Sequence, residues 1–324
     1  MTVRNSSRRD KHGHLAASAI GCWSCVVVAA CCGCHLFGSQ PAVSKQEATS
    51  RQLSQSGISL LEQGNWKKGE DDLAAAIKAC PTDPEPHRHY AEALWHRGDK
   101  TDALTQMLEA IRLNGDDPQL FVRAGEMSLE LGRTDDAGKF AEQAIAVNPR
   151  LSNAWTLRGQ VAQIQSLAFA APDPRSQRLI EESLADLNRA MEYQHDDKRT
   201  LLLLAELYRQ QGRADRALGT LETLRDCYTP GEEPQQILVL EGLAFAALRR
   251  FDDAADVYGI ALSRDPQSLE LHDRLAESQL LGGRPRDAAA TVFQALALDP
   301  NHAPTRAIAE RIDVALRPTE TRRE

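Results

Sequence analysis

Small and large apolar positions recur along this chain in one fixed register. Segments beginning at Ser50, Pro84, Pro118, Ser152, Lys198, Gln235 and Leu269 carry a small residue at the eighth place: Gly57, Ala91, Gly125, Gly159, Ala205, Gly242 and Ala276. The twentieth place holds Gly69, Ala103, Ala137, Ser183, Ala217, Ala254 and Ala288. The twenty-seventh holds Ala76, Ala110, Ala144, Ala190, Ala261 and Ala295, with Leu224 the exception. Large residues stand between them: Phe121, Trp155 and Leu201 at the fourth place, Leu60, Leu94 and Tyr208 at the eleventh. The pattern predicts helical hairpins in which small residues allow close approach and large ones fill the gaps. Gly64, Gly98, Gly132, Gly212 and Gly283, at the fifteenth place, predict a left-handed residue that ends each first helix. Pro81, Pro149, Pro266 and Pro300, at the thirty-second, cannot continue the second helix.

The first four starts are 34 residues apart. With these small residues, glycines and prolines in register, residues 50–302 resemble the tetratricopeptide-repeat (TPR) family. The resemblance implies an all-α, right-handed solenoid of seven helix-turn-helix repeats: 50–83, 84–117, 118–151, 152–197, 198–231, 235–268 and 269–302. A fifteenth helix over 303–317 is predicted to cap the stack, with Ala307, Ile308, Ile312, Ala315 and Leu316 on one face. Residues 318–324 read as a disordered tail.

The TPR resemblance also implies a groove. In that family the first helix of each hairpin lines the concave side through its second, fifth, ninth and twelfth residues. Here the candidates for partner contact are Arg88, Glu92, Trp95, Arg123, Glu126, Arg199, Glu206, Arg209 and Leu243. Val122, Leu129, Leu202, Val239 and Ala246 share the groove positions, so the sixth repeat is apolar where the middle repeats are mixed in charge. The expected ligand is a protein or peptide, and neither a cofactor nor a small-molecule substrate is expected.

Two places depart from the register. The second helix of the fourth repeat resumes near Glu181, displaced by twelve residues. Pro172 and Pro174 in the extra stretch predict a lengthened turn. The fifth repeat ends in Cys227-Tyr228-Thr229-Pro230-Gly231, and three more residues precede the sixth.

The chain of 324 residues carries a net charge of −8. Arg4, Arg8, Arg9 and Lys11 against Asp10 give the first thirty residues 4 − 1 = +3, which leaves −8 − 3 = −11 for the rest. An acidic body lacks the basic stripe that nucleic acid requires. A basic run over 1–14 precedes the apolar stretch from Leu15 to Ala30, the layout of an export signal. Val28-Ala29-Ala30-Cys31 then resembles the lipobox of bacterial lipoproteins: an aliphatic residue, two small ones and a cysteine. Cys31 is accordingly the candidate lipidation site, with 1–30 removed and 31–49 a flexible tether. The implied location is the periplasmic side of a membrane, held by lipid; an uncleaved N-terminal helix is the alternative anchor.

Cys31-Cys32-Gly33-Cys34-His35 contains the C-x-x-C-H spacing of covalent c-type haem attachment. A redox or metal role for this N-terminal cluster is the rival reading, but no cytochrome-sized domain surrounds it and lipidation would consume the Cys31 thiol. A third reading makes the chain the regulatory subunit of an envelope enzyme. His87, His89 and His96 cluster in the second repeat, and Glu92 is the available third ligand for a metal. A polar groove wall is the preferred reading of that cluster. No nucleophile elbow, phosphate loop or H-E-x-x-H motif appears, so the expected role is non-catalytic.

Overall fold

A computed structural model describes residues 45–170 and 173–317. The export segment, Cys31, the C-x-x-C-H cluster, most of the tether and the 318–324 tail lie outside the described residues.

Among the described residues the chain forms fifteen α-helices. Seven hairpins follow in order: α1 (Lys45–Glu62) and α2 (Trp66–Ala79), α3 (Pro84–Arg97) and α4 (Lys100–Leu113), α5 (Pro118–Glu130) and α6 (Thr134–Val147), α7 (Ser152–Ser166) and α8 (Pro174–Tyr193). They continue with α9 (Lys198–Gln210) and α10 (Ala214–Asp226), α11 (Gln235–Ala247) and α12 (Phe251–Arg264), α13 (Leu269–Leu281) and α14 (Pro285–Leu298). The last helix, α15 (Ala303–Leu316), packs on α13 and α14. Successive first helices touch, as α1 does α3, α5 does α7, α9 does α11 and α13 does α15. Successive second helices do not approach as closely. The stack therefore curves with its first helices inside.

The two ends of each hairpin are specified differently. Asp83, Asp117, Asp173, Asp197 and Ser268 cap helices with side-chain oxygens that accept from backbone amides in the first turn. Most second helices begin without such a cap, because the left-handed turn itself delivers the chain. Gly64, Gly98, Gly132, Gly212 and Gly283 all have φ between 66° and 101°. The sixth repeat places Arg249 at the same point with φ 59°, the sole non-glycine residue with positive φ among those described.

Close approach explains the small residues. A Cβ on Gly242 would stand 2.4 Å from Cε1 of Tyr258, a ring buried to 2% exposure. A Cβ on Gly125 would meet Leu157 of the next hairpin at 2.4 Å. In the fourth hairpin the Ser183 hydroxyl donates to the Gly159 carbonyl at 2.7 Å, bringing the two backbones together across small residues.

Three expectations are corrected. Helix α1 starts at Lys45, so residues 45–49, expected to be flexible, are helical. Lys, Gln, Glu and Ala there favour a helix, and the Thr49 hydroxyl donates to the Lys45 carbonyl at 2.9 Å. The insertion lengthens α8 to 20 residues, against 14 in α6, as well as widening the turn. Its second proline does not hold the turn open, because Pro174 sits in the first turn of α8 behind the Asp173 cap, where proline's missing amide costs nothing. In α15 the buried face is Thr305, Ile308 and Ile312, whereas Ala307, Ala315 and Leu316 are exposed.

Candidate functional site

Polar side chains of the inner helices link repeat to repeat. Arg123 on α5 reaches back to Glu92 on α3 in a two-pronged pair, with Nε and Nη2 each 2.7 Å from a carboxylate oxygen. Its Nη1 lies 3.4 Å from Glu126 one turn on. Glu126 also pairs with Arg199 on α9, and Arg199 Nη2 donates to Gln160 Oε1 on α7 at 2.7 Å. The chain Glu92–Arg123–Glu126–Arg199–Gln160 thus spans the second to the fifth repeat. Arg123 and Glu126 are 29% and 22% exposed, so solvent screens these pairs only in part. The hydrogen bond to Glu92 holds the Arg123 guanidinium above its ordinary pKa.

Trp95 lies at one end of this ladder, half-buried against the cluster of Ala91, Leu104, Met127 and neighbours. Lys100 Nζ is 5.0 Å and the Arg123 guanidinium carbon 5.6 Å from its ring centre, within cation–π range. Two shallow clefts open on the same face. One of about 200 Å³ lies between α3 and α5, bordered by Arg88, Glu92 and Gln119. The other, about 330 Å³, runs across α5, α7 and α9 by Glu126, Gln160 and Ile164.

The remaining sequence-predicted residues do not join the ladder. Arg88 is held only by Glu85 on its own helix, at 3.8 Å. Glu206 accepts from Gln236 Nε2 at 2.9 Å. Arg209 has its Nε buried without a hydrogen-bond partner. Leu243 packs with Leu202 onto the cluster of Leu201, Leu221 and Leu240. Two features were not among the predicted site residues. Gln160 occupies the ninth place of the fourth repeat, and Gln119 and Asn153, both at second places, join at 3.0 Å. The register places all three on the groove face, and that periodicity is the signal that could have found them.

The three histidines of the second repeat have separate partners. His87 is buried, with Nδ1 2.8 Å from Gln106 Oε1 and Nε2 3.2 Å from the Pro81 carbonyl. His89 stands 3.5 Å from Glu85, and burial lowers its pKa. His96 stacks on Trp66 at 3.5 Å between ring centres. The rings do not converge, and among the described residues no group of three His, Cys, Asp or Glu side chains is arranged to hold a metal. Cys80 and Cys227 are free thiols.

Comparison with known proteins agrees with this architecture. Two family models described as tetratricopeptide repeats match, one over residues 55–118 and 239–303, the other over 198–223. Among solved structures, PilF of Pseudomonas aeruginosa is 16% identical, with a TM-score of 0.60 over 72% of this chain and 100% of that one. PilW, a type IV pilus biogenesis factor, is 16% identical, with a TM-score of 0.59 over 68% of this chain and 96% of its own. YrrB, described as a TPR protein with an unusual peptide-binding site, is 13% identical, with a TM-score of 0.54 over 63% and 97%. At these identities the likeness establishes the fold alone. No curated protein matches the sequence.

Proposed function

The chain is a tetratricopeptide-repeat protein, an architecture built for protein interaction, and from that premise we propose that it is a non-catalytic scaffold which holds a partner polypeptide along its inner face. The observation that carries this reading is the change of chemistry along that face. Paired charges and Trp95 occupy the second to fifth repeats, and an apolar stretch of Val239, Leu243 and Ala246 follows in the sixth. An extended segment laid across both finds an aromatic anchor, an apolar site and a polar track that fixes its direction. Because Glu126 and Arg199 already satisfy each other, partner charges are read by Arg88 and Arg209, whose own pairing is weak or absent.

We further propose that the scaffold is exported and anchored by lipid at Cys31 in a bacterial envelope. The support is the order of basic run, apolar stretch and Val28-Ala29-Ala30-Cys31. Among the described residues no helix is long and apolar enough to cross a membrane. An envelope assembly factor fits this layout, and the likeness to a pilus biogenesis factor is consistent with it at the level of fold.

Photo-crosslinking tests the binding face. A photoreactive residue at position 95 or 243, in cells of the native host, should trap the same partner from both sites. Position 256, on the outer helix α12, should not. Adducts from 256 alone would reject the inner-face assignment. For the anchor, Cys31→Ser should leave the longer, unlipidated precursor; a mature protein that begins elsewhere or carries no lipid would refute lipidation.

A further inference from the structure

A cleft larger than the two on the inner face opens on the outer side. It has a volume of about 580 Å³, with α6 and α8 as walls and the back of α7 as floor. Its size has a local cause. The eleventh place is large in most repeats, as at Leu94 and Tyr208, but small in two, Ser128 in the third and Ala162 here. Gly138 and Ala185 on the walls add no bulk, so Val161 and Ala162 form an apolar floor.

The rim is acidic and underpaired. Arg158 lies in the cleft but is committed to Asp186, with contacts of 2.7 and 2.6 Å, and its guanidinium also covers the Trp155 ring at 4.6 Å. Lys139 is bound to Asp136 at 3.0 Å, and Glu182 to Arg178 at 2.9 Å. Two rim carboxylates have no cation within ion-pair distance, although the Arg158 charge also acts on Glu142. Asp135 receives only a 3.4 Å hydrogen bond from Gln165, and Glu142 makes no hydrogen bond or ion pair. They stand seven residues apart on one face of α6, about 10 Å along the helix.

We propose that this cleft receives basic side chains of a partner polypeptide: arginine or lysine whose alkyl stems lie on Val161 and Ala162 and whose charged ends reach Asp135 and Glu142. Long cationic side chains are the residues that combine an apolar stem with a charged end. The site is independent of the inner face, and it gives the scaffold a second contact on its opposite side.

The test is fluorescence anisotropy with the full chain and a labelled peptide of six Ala-Arg repeats, with six Ala-Glu repeats as the opposite charge. The Ala-Arg peptide should bind and the Ala-Glu peptide should not. Asp135→Asn with Glu142→Gln should weaken binding at least fivefold, and Ala162→Leu should do the same by closing the cleft with a residue the register accepts at that place. A second pair of outer carboxylate changes, Glu222→Gln with Asp256→Asn, should leave binding within twofold, as should Trp95→Ala on the inner face. Equal loss from the two carboxylate pairs, or no loss from Ala162→Leu, would show diffuse attraction to an acidic protein and overturn the proposal. Trp95→Ala is judged for the inner face with the crosslinked partner and for the cleft with the Ala-Arg peptide, so the two readings fail separately.

Discussion

The second to fifth repeats and the sixth handle charge in opposite ways. In the former, charged side chains lie on the inner face and close into pairs between repeats, as Glu92–Arg123 and Glu126–Arg199 do. In the sixth, the inner face is Val239, Leu243 and Ala246, and the charge has moved inside. Glu241 is only 1% exposed, with Arg225 Nη1 at 3.1 Å as its ion-pair partner. Burial raises the pKa of this carboxyl. The contrast shows that the hairpin tolerates charge on either side of the first helix, provided small residues elsewhere keep the helix contacts intact. It also shows why the apolar stretch suits a partner: no ion pair must be desolvated to cover it.

The largest effect should come from the packing of the sixth hairpin. Gly242→Leu drives a side chain into Tyr258 and should cost on the order of 1–3 kcal/mol in urea unfolding. Gly259→Leu, where an added Cβ meets nothing within 4 Å, should be close to neutral. Equal effects would mean that the eighth place does not set the helix approach. In the ladder, Arg123→Ala leaves Glu92 without its cross-repeat partner and Glu126 with Arg199 only. Partial exposure limits the loss to about 1 kcal/mol, readable as a lower unfolding midpoint. Leu243→Ala, which removes apolar contacts and no charge, should be insensitive to salt, whereas the Arg123→Ala deficit should shrink as salt rises.

Arg249→Gly should stabilise by about 1 kcal/mol, since the residue holds the left-handed turn that glycine holds in five other repeats. A destabilised Arg249→Gly protein would mean that the arginine side chain does more than tolerate the turn.

The smallest effect is in pH dependence. Glu241 binds its proton more tightly folded than unfolded. The stability this contributes is complete below the unfolded glutamate pKa, about 4.3, and is lost as pH rises through the raised folded value. Glu241→Gln removes the titration. Its stability relative to wild type should therefore be highest near neutral pH and decline as pH falls towards 4. A difference that stays flat with pH would contradict the assignment.

Most of the solenoid was legible because its constraints are local and periodic. Gly98 and Gly132 announce their turns, and Gly242 announces a close approach whatever the partner chain does. The extension of α8 was not legible because Pro174 is compatible with both a turn and a helix start, and the Asp173 cap decides between them. The groove was legible as a set of positions but not as a set of pairs. Arg123, Glu126 and Arg199 stand at or beside groove positions, yet their mutual pairing depends on how far each helix is rotated against the next. The outer cleft left a faint mark, Ala162 where a large residue is usual.

The most direct test of the inner-face account is affinity for the crosslinked partner, measured for wild type, Trp95→Ala and Leu243→Asp. The account predicts at least tenfold weaker binding for each variant, with the helical signal of the folded solenoid retained. Unchanged affinity in both variants would contradict it and place the partner on another surface.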